Sequence, residues 1–437
     1  MPPRVSTFRI WLICALGLFI DGFDLYITSV AEPFFHRQFH LTPTYTGIVQ
    51  AAAPIGAAIG AIIIGRIADR LGRKSLLIFN FVFFVIAAIL SGLAWSALSL
   101  CIFRFFVGFG VGADYPICAS YFTEMAPGEN RGKLAAAAML VNCIASPVGV
   151  LIAYLIFRIS PTLNAWRYMF MFGAVPALFG LYLRTRLPES FIWRALARLR
   201  TASGKAKEAV KSYRIIFGPK FIVITLALSF SWLLQDVSYY GIGLFTPSIL
   251  QAMHLSSSSN FLTNINLSVL TTLFVNAFIV LGALIPVFII DRVGRVPLQK
   301  IGFLVSFIAL FILGLGAWFV GLRTTAIILS GFALFNVFMN LGPGITTYLL
   351  PAEIYPTNVR ATGHGVAAGA AKAGAFLGTL FLPILQHGIG IYMTVLLLSF
   401  TALLGYFITN LIPHKGGEKF VIDDERAELE SNQGLIE

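Results

Sequence analysis

The chain has 437 residues, of which 58% are hydrophobic and 11% charged, and its formal net charge is +12. A soluble globular chain carries roughly 25% charged residues, so this composition, with a mean hydropathy of +0.85, excludes a water-soluble protein and points to one embedded in a membrane. The basic excess does not mark a nucleic-acid binder, because the Lys and Arg lie in the loops between apolar segments.

A spanning helix takes about 20 apolar residues. Hydropathy places about twelve such segments near 8–30, 46–67, 75–97, 99–123, 133–157, 166–184, 220–250, 264–290, 297–321, 324–350, 358–386 and 390–412. About 25 of the 31 Lys and Arg fall at the N-terminus, in the even-numbered loops and at the C-terminus, against about four in the odd loops, Arg37, Arg158, Arg167 and Arg323. This asymmetry puts both termini in the cytoplasm of a multi-pass protein of the plasma membrane. Cys14, Cys101, Cys118 and Cys143 all fall within spans, where they act as small hydrophobes. The N-terminus runs into a full-length span with no small-residue cleavage pattern, which reads as a retained helix.

The first span carries Asp21 and Asp24, three residues apart and therefore on one helix face. A charge in hydrocarbon is costly and marks a functional candidate. At least one of the two is expected to be functional, the alternative for the other being a hydrogen-bond partner to a neighbouring helix. The loop after the second span reads GRIADRLGRK, Gly65 to Lys74, and sets Asp69 at a helix end among Arg70, Gly72 and Arg73. Such a cluster suits a latch that breaks when two halves rock, besides setting topology. A shorter copy, Asp291, Arg292 and Arg295 in DRVGR, recurs in the second half of the chain.

The loop resembles the G-x-x-x-D-R-x-G-R-[RK] signature of the major facilitator superfamily. That resemblance implies an all-α membrane protein of twelve transmembrane helices in two pseudo-symmetric six-helix bundles, with a site between them near the bilayer midplane. The expected division is 1–184 for the first bundle, 185–219 for a cytoplasmic linker with a short amphipathic helix, 220–412 for the second bundle and 413–437 for a disordered cytoplasmic tail.

In the fourth span Arg104 lies ten residues before Asp114, roughly 15 Å along a helix, too far for the two to pair. Gly108, Gly110 and Gly112 form a small-residue stripe for close helix approach. The string GVGADYP resembles the G-x-G-G-D-Y-P motif of the phosphate:proton symporters within the superfamily, with Ala113 in place of a glycine. The resemblance implies substrate contacts from Asp114 and Tyr115. It also implies a cytoplasmic contact in EMAPGENRG, which contains Glu124 and Arg131. In the fifth span Leu140 and Val141 stand where that family has Gln-Gly, so one polar contact is missing and Asn142 is the nearest substitute. RTRLPESFIWR, from Arg184, is similar to the P-E-S-P-R-W motif of the sugar-porter-like branches.

In the seventh span Trp232, Asp236 and Tyr240 recur every four residues and form one polar-aromatic stripe, as at the symporters' substrate site. Later, NLGPGITTY resembles N-F-G-P-N-T-T, keeping Asn340 but with Gly344 at the second asparagine. Glu353 and Arg360 fall in a helix-linking loop, and His364 beyond it reads as structural. Lys372 lies about twelve residues past Arg360, roughly 18 Å at helical rise, too deep to reach water easily.

The expected interior therefore sets Asp21, Asp24, Asp114 and Asp236 against Arg104 and Lys372. An anion binds there sensibly only when a carboxylate is protonated, which makes proton coupling natural, with Asp21, Asp24, Asp114 and Arg104 as the coupling groups. The expected substrate shell is Asp114, Tyr115, Trp232, Asp236, Tyr240, Asn340 and Lys372. The expectation is a monomeric symporter, not an enzyme, that imports a small anion with protons, inorganic phosphate first, and that needs no metal or cofactor and has lipid as its other partner. A proton-coupled carrier of a small organic substrate is the alternative, kept open by Leu140 and Gly344. An intramembrane aspartyl protease does not fit, since GADYP lacks the G-x-G-D pattern.

Overall fold

The computed structural model describes residues 7–125, 131–202, 212–252, 261–319 and 325–412. The expected tail, residues 126–130 of the EMAPGENRG loop, residues 203–211 of the linker, Arg323 and the side chain of Arg131 lie outside the described residues.

The elements are α1 (Thr7–Gln38), α2 (Pro43–Leu71), α3 (Lys74–Gly92), α4 (Ala97–Met125), α5 (Arg131–Ile159), α6 (Ala165–Phe172), α7 (Ala174–Thr185), α8 (Phe191–Ala202), α9 (Ser212–Ile216), α10 (Ile222–Ala252), α11 (Phe261–Leu284), α12 (Pro286–Val293), α13 (Arg295–Phe319), α14 (Thr325–Leu341), α15 (Pro343–Ile354), α16 (Arg360–Ile389) and α17 (Ile391–Thr409). Among the described residues, eleven stretches are long and apolar enough to cross a membrane. The remaining expected span, 166–184, is broken at Gly173 into α6 and α7. Pro286 and Pro343 each begin a helix, breaking the eighth and tenth spans where an imino nitrogen has no hydrogen to donate. Among the described residues of the linker are two short helices, α8 and α9, where one was expected.

Helices α1 to α7 and α10 to α17 form two sets that are in extensive contact with each other. Across the two sets, α2 runs along α16 and α5 along α11. Small residues make the tightest approaches. A Cβ at Gly108 or Gly112 would lie 1.9 Å from the carbonyl oxygen of Ala53 or Ala57, so these positions let α4 and α2 touch backbone to backbone. Gly110 differs from the expected stripe. It faces Asn80 and Phe84 of α3 at 3.5 Å, an ordinary contact. Helices α2 and α16 meet at both ends, Gly47 against Leu380 and Gly65 against Ala361.

Candidate transport site

The loop motif and its copy build matching devices at one end of the molecule. Helix α2 ends at Gly72, whose φ of +95° only glycine adopts readily; Gly294 ends α12 in the same way, at φ +90°. Asp69, buried at the end of α2, accepts from the backbone N–H groups of Ala361 and Thr362 at 3.3 and 2.8 Å and from the Thr362 hydroxyl at 2.6 Å. A carboxylate there satisfies unpaired donors at the N-terminus of α16 and complements the positive end of its dipole. Asp291 does the same across the other seam, accepting from the Lys133 N–H at 2.9 Å near the start of α5.

Arginines lock both devices. Arg73 reaches Asp69 at 3.3 Å and Glu124 at 2.8 Å, and donates to the Thr357 carbonyl at 3.3 Å. Arg360 approaches Glu124 at 3.7 Å and donates to Thr357 Oγ1 at 2.7 Å. Arg295 bridges Asp291 at 2.9 Å and Glu353 at 3.0 Å. Asp69, Arg73, Glu124 and Arg360 are thus joined in one buried cluster, and Asp291, Arg295 and Glu353 in a second. Arg70 and Arg292 join neither; both are exposed.

Three latch residues escaped the sequence reading, although their string PESFIW had been singled out. Glu189 accepts from the N–H groups of Arg73 and Lys74 at 2.9 and 3.2 Å, which caps α3. Ser190 Oγ donates to Glu124, and Trp193 Nε1 donates to the Asp69 carbonyl at 3.2 Å.

The site itself lies deeper, between the two helix sets. Asp21, Tyr115, Trp232, Asp236, Tyr240, Asn340 and Lys372 line one small cavity. Lys372 is its cation. Its ammonium donates to Tyr240 Oη, and to Asp236 and Tyr115 Oη at 3.4 Å each. It also lies over the Tyr115 and Tyr240 rings, 4.6 and 4.3 Å from their centroids, a cation–π arrangement. Tyr115 Oη donates to Asp21, which ties α4 to α1. The four-residue spacing of Trp232, Asp236 and Tyr240 does bring all three to the cavity wall. Asn340 lines it too, while its Nδ2 donates to the Asn336 carbonyl at 2.8 Å. Gln235, Tyr239 and Asn142 complete the polar lining. Of these only Asn142 drew notice in the sequence, and its amide donates to the Leu18 carbonyl at 2.6 Å.

Two expectations are corrected by the geometry. Asp114 is not among the cavity-lining residues. It accepts both terminal nitrogens of Arg184, at 2.5 and 2.8 Å, together with Asn80 Nδ2 at 3.0 Å and Cys118 Sγ at 3.2 Å. Arg184 also donates to the Leu77 carbonyl at 3.0 Å and covers the Phe81 ring at 3.5 Å. The physical reason is local: a carboxylate facing a guanidinium in a low-dielectric interior is held by it, and four donors saturate its oxygens. Arg104 likewise does not stand alone against an anion, since it forms a fork-to-fork pair with Asp24, both bonds 2.7 Å. Of the four expected acids, two are therefore matched by arginines, and Asp21 and Asp236 remain beside one lysine. His364 is structural as expected, bonded through Nε2 to the Tyr348 carbonyl at 3.1 Å and packed on Trp232. Among the described residues no three His, Cys, Asp or Glu side chains are grouped to hold a metal ion.

Residues 10–422 match the Sugar (and other) transporter family. The chain belongs to that family. This transporter is 29% identical, over 95% of each chain, to the probable inorganic phosphate transporter 1-3 of Oryza sativa subsp. japonica. It is also 29% identical to the inorganic phosphate transporter 1-1 of the same plant, over 95% of its own length and 93% of the relative's. Among solved structures, it superposes on the major facilitator superfamily proton:xylose symporter XylE bound to 6-bromo-6-deoxy-D-glucose, with TM-score 0.80, 22% identity and 96% and 98% coverage. The partially occluded inward-open XylE from E. coli gives TM-score 0.76 at 23% identity, with 94% and 99% coverage. The transporter therefore has the major facilitator fold, and it is a multi-pass membrane transporter rather than an enzyme.

Proposed function

We propose that this transporter is a monomeric proton-coupled importer of a small anion, inorganic phosphate first, working by alternating access in the plasma membrane with both termini cytoplasmic. One observation carries the reading: Lys372 stands in a cavity between the two helix sets with Asp21 and Asp236, and with Tyr115 and Tyr240 against it. With both carboxylates ionised this triad has one net negative charge and repels an anion; one added proton makes it neutral, and a second makes it positive. Anion and proton thus favour each other's binding. Asp21 is the proton carrier in this reading, because it joins α1 to the cavity through Tyr115 and no arginine bonds to it among the described residues. The Asp24–Arg104 pair beside it is the second coupling element.

The phosphate assignment is supported by relatives named inorganic phosphate transporters and by the shell of Tyr115, Trp232, Asp236, Tyr240, Asn340 and Lys372 that lines the cavity. Gly344, which lines it without a side chain to offer, favours the second reading, a proton-coupled carrier of a small organic substrate such as a carboxylate, sugar or organic cation. In the transport cycle, residues 1–184 and 220–412 rock as two units joined by 185–219, and the latch of Asp69, Arg73, Glu124 and Arg360 with its copy at Asp291, Arg295 and Glu353 opens on the cytoplasmic side. Uptake of radiolabelled phosphate into proteoliposomes tests this. Accumulation driven by an inward proton gradient is expected, and uptake of phosphate with no response to the gradient contradicts it.

A further inference from the structure

The anion cavity has a neighbour. A second small chamber shares Asp21, Leu25, Tyr240 and Lys372 with it and extends between α1, α2 and α4 to Gln50, Thr28, Asp24 and Arg104. The two are adjoining lobes with Lys372 in the wall of both. Along α1 the second lobe runs from Asp21 to Thr28, and along α2 from Ala57 to Gln50, in both cases away from the latch at Asp69.

The chemistry of this lobe differs from that of the first. Its Asp24 and Arg104 pair in two 2.7 Å bonds, so together they carry no net charge. The Thr28 hydroxyl donates to the Asp24 carbonyl at 2.6 Å within its own helix. Gln50 is different. It is 3% exposed, and neither its amide nitrogen nor its amide oxygen has a hydrogen-bond partner among the described residues. A buried amide without partners is costly, and native structures almost always satisfy such groups. Gln50 offers a donor and an acceptor side by side, which a hydroxyl or an amide complements, while Leu25, Ala53, Pro54 and Val111 give the rest of the lobe an apolar wall suited to a short carbon chain.

We propose that the second lobe is a substrate subsite that holds the uncharged, hydroxyl- or amide-bearing part of an organic anion whose charged group sits beside Lys372. The inference rests on the anion reading of the first lobe and narrows it: a bare phosphate fills one lobe and leaves Gln50 unsatisfied, whereas a hydroxylated organic acid or phosphate monoester reaches both. The charged head is set by Lys372, and the choice among anions by Gln50.

Binding to the purified full-length protein, read as stabilisation against thermal unfolding, tests this with matched probes. Glycerate is compared with propionate, glycerol phosphate with propyl phosphate, and inorganic phosphate serves as the reference. The expected result is that each hydroxylated probe binds about tenfold more tightly than its deoxy partner, equivalent to about 1.4 kcal/mol, and that Gln50→Leu brings the ratio toward one. A purely structural role for Gln50 would weaken both members of a pair alike. The two pairs show whether the head is a carboxylate or a phosphate. Equal binding within both pairs in the wild type overturns the subsite even if Gln50→Leu does not fold, and leaves the anion reading standing if phosphate binds. No binding by any of the five overturns both.

Discussion

Asp114 and Arg184 face each other in a two-bond pair of 2.5 and 2.8 Å, joining the middle of α4 to the end of α7. Two residues of the same α7 exit, Glu189 and Ser190, then bind the latch. Asp114 thus ties the helix that carries Tyr115 to the end of α7.

The first prediction concerns that tie. Asp114→Asn leaves the Arg184 charge buried at 0% exposure without its carboxylate, and breaking one side of a buried pair costs about 3–5 kcal/mol. Thermal unfolding in detergent is expected to show a clear loss for Asp114→Asn and substantial recovery when Arg184→Leu is added. A single variant as stable as the wild type, with altered uptake alone, would place Asp114 in transport.

The latch gives the second. Asp69→Asn removes the charge from the N-terminus of α16 and weakens the contacts to Ala361 and Thr362. Charge at a helix N-terminus contributes about 0.3–1 kcal/mol, rising to about 2 in partly buried sites, so a several-fold shift toward opening at this end is expected. Spin labels at the exposed positions 70 and 292, in a background without the four native cysteines, read it as a longer distance population.

Third, Lys372→Met leaves Asp21 and Asp236 without their cation and the cavity negative. Anion uptake is expected to fall by about two orders of magnitude or more, the scale of losing a buried charge contact of 2–5 kcal/mol. Retained phosphate uptake at the wild-type rate would remove Lys372 from the site.

A fourth separates packing from function. At Gly108 a valine would drive its Cβ into the Ala53 carbonyl 1.9 Å away, so Gly108→Val is expected to abolish folded protein in size-exclusion chromatography. Gly110→Ala, with its nearest neighbour at 3.5 Å, is expected to behave as wild type.

These contrasts show what the sequence made legible. The stripe of Trp232, Asp236 and Tyr240 could be read because helical periodicity puts residues four apart on one face, and Lys372 because its depth in an apolar helix has no bland explanation. The latch was legible in its motif residues. Asp114 was misplaced because its partner is 70 positions away, at the end of the sixth span, where Arg184 was counted among the charges that set topology. Arg104 reads as one of two cations facing four acids, and nothing in the sequence tells that it pairs with Asp24 across on α1. Side-chain pairing between helices leaves no periodic trace in one sequence. For the same reason the second lobe was invisible: Gln50 in an alanine-rich span carries no charge to draw notice.

The proton count on anion binding tests the central claim most directly. Phosphate is added to the purified transporter in weakly buffered detergent solution at neutral pH, with a pH indicator present. The expected result is net proton uptake with binding, an affinity that rises as pH falls, and loss of both effects in Asp21→Asn. Phosphate binding with no proton taken up and no change of affinity with pH would contradict a cavity in which Asp21, Asp236 and Lys372 exchange a proton for an anion's admission.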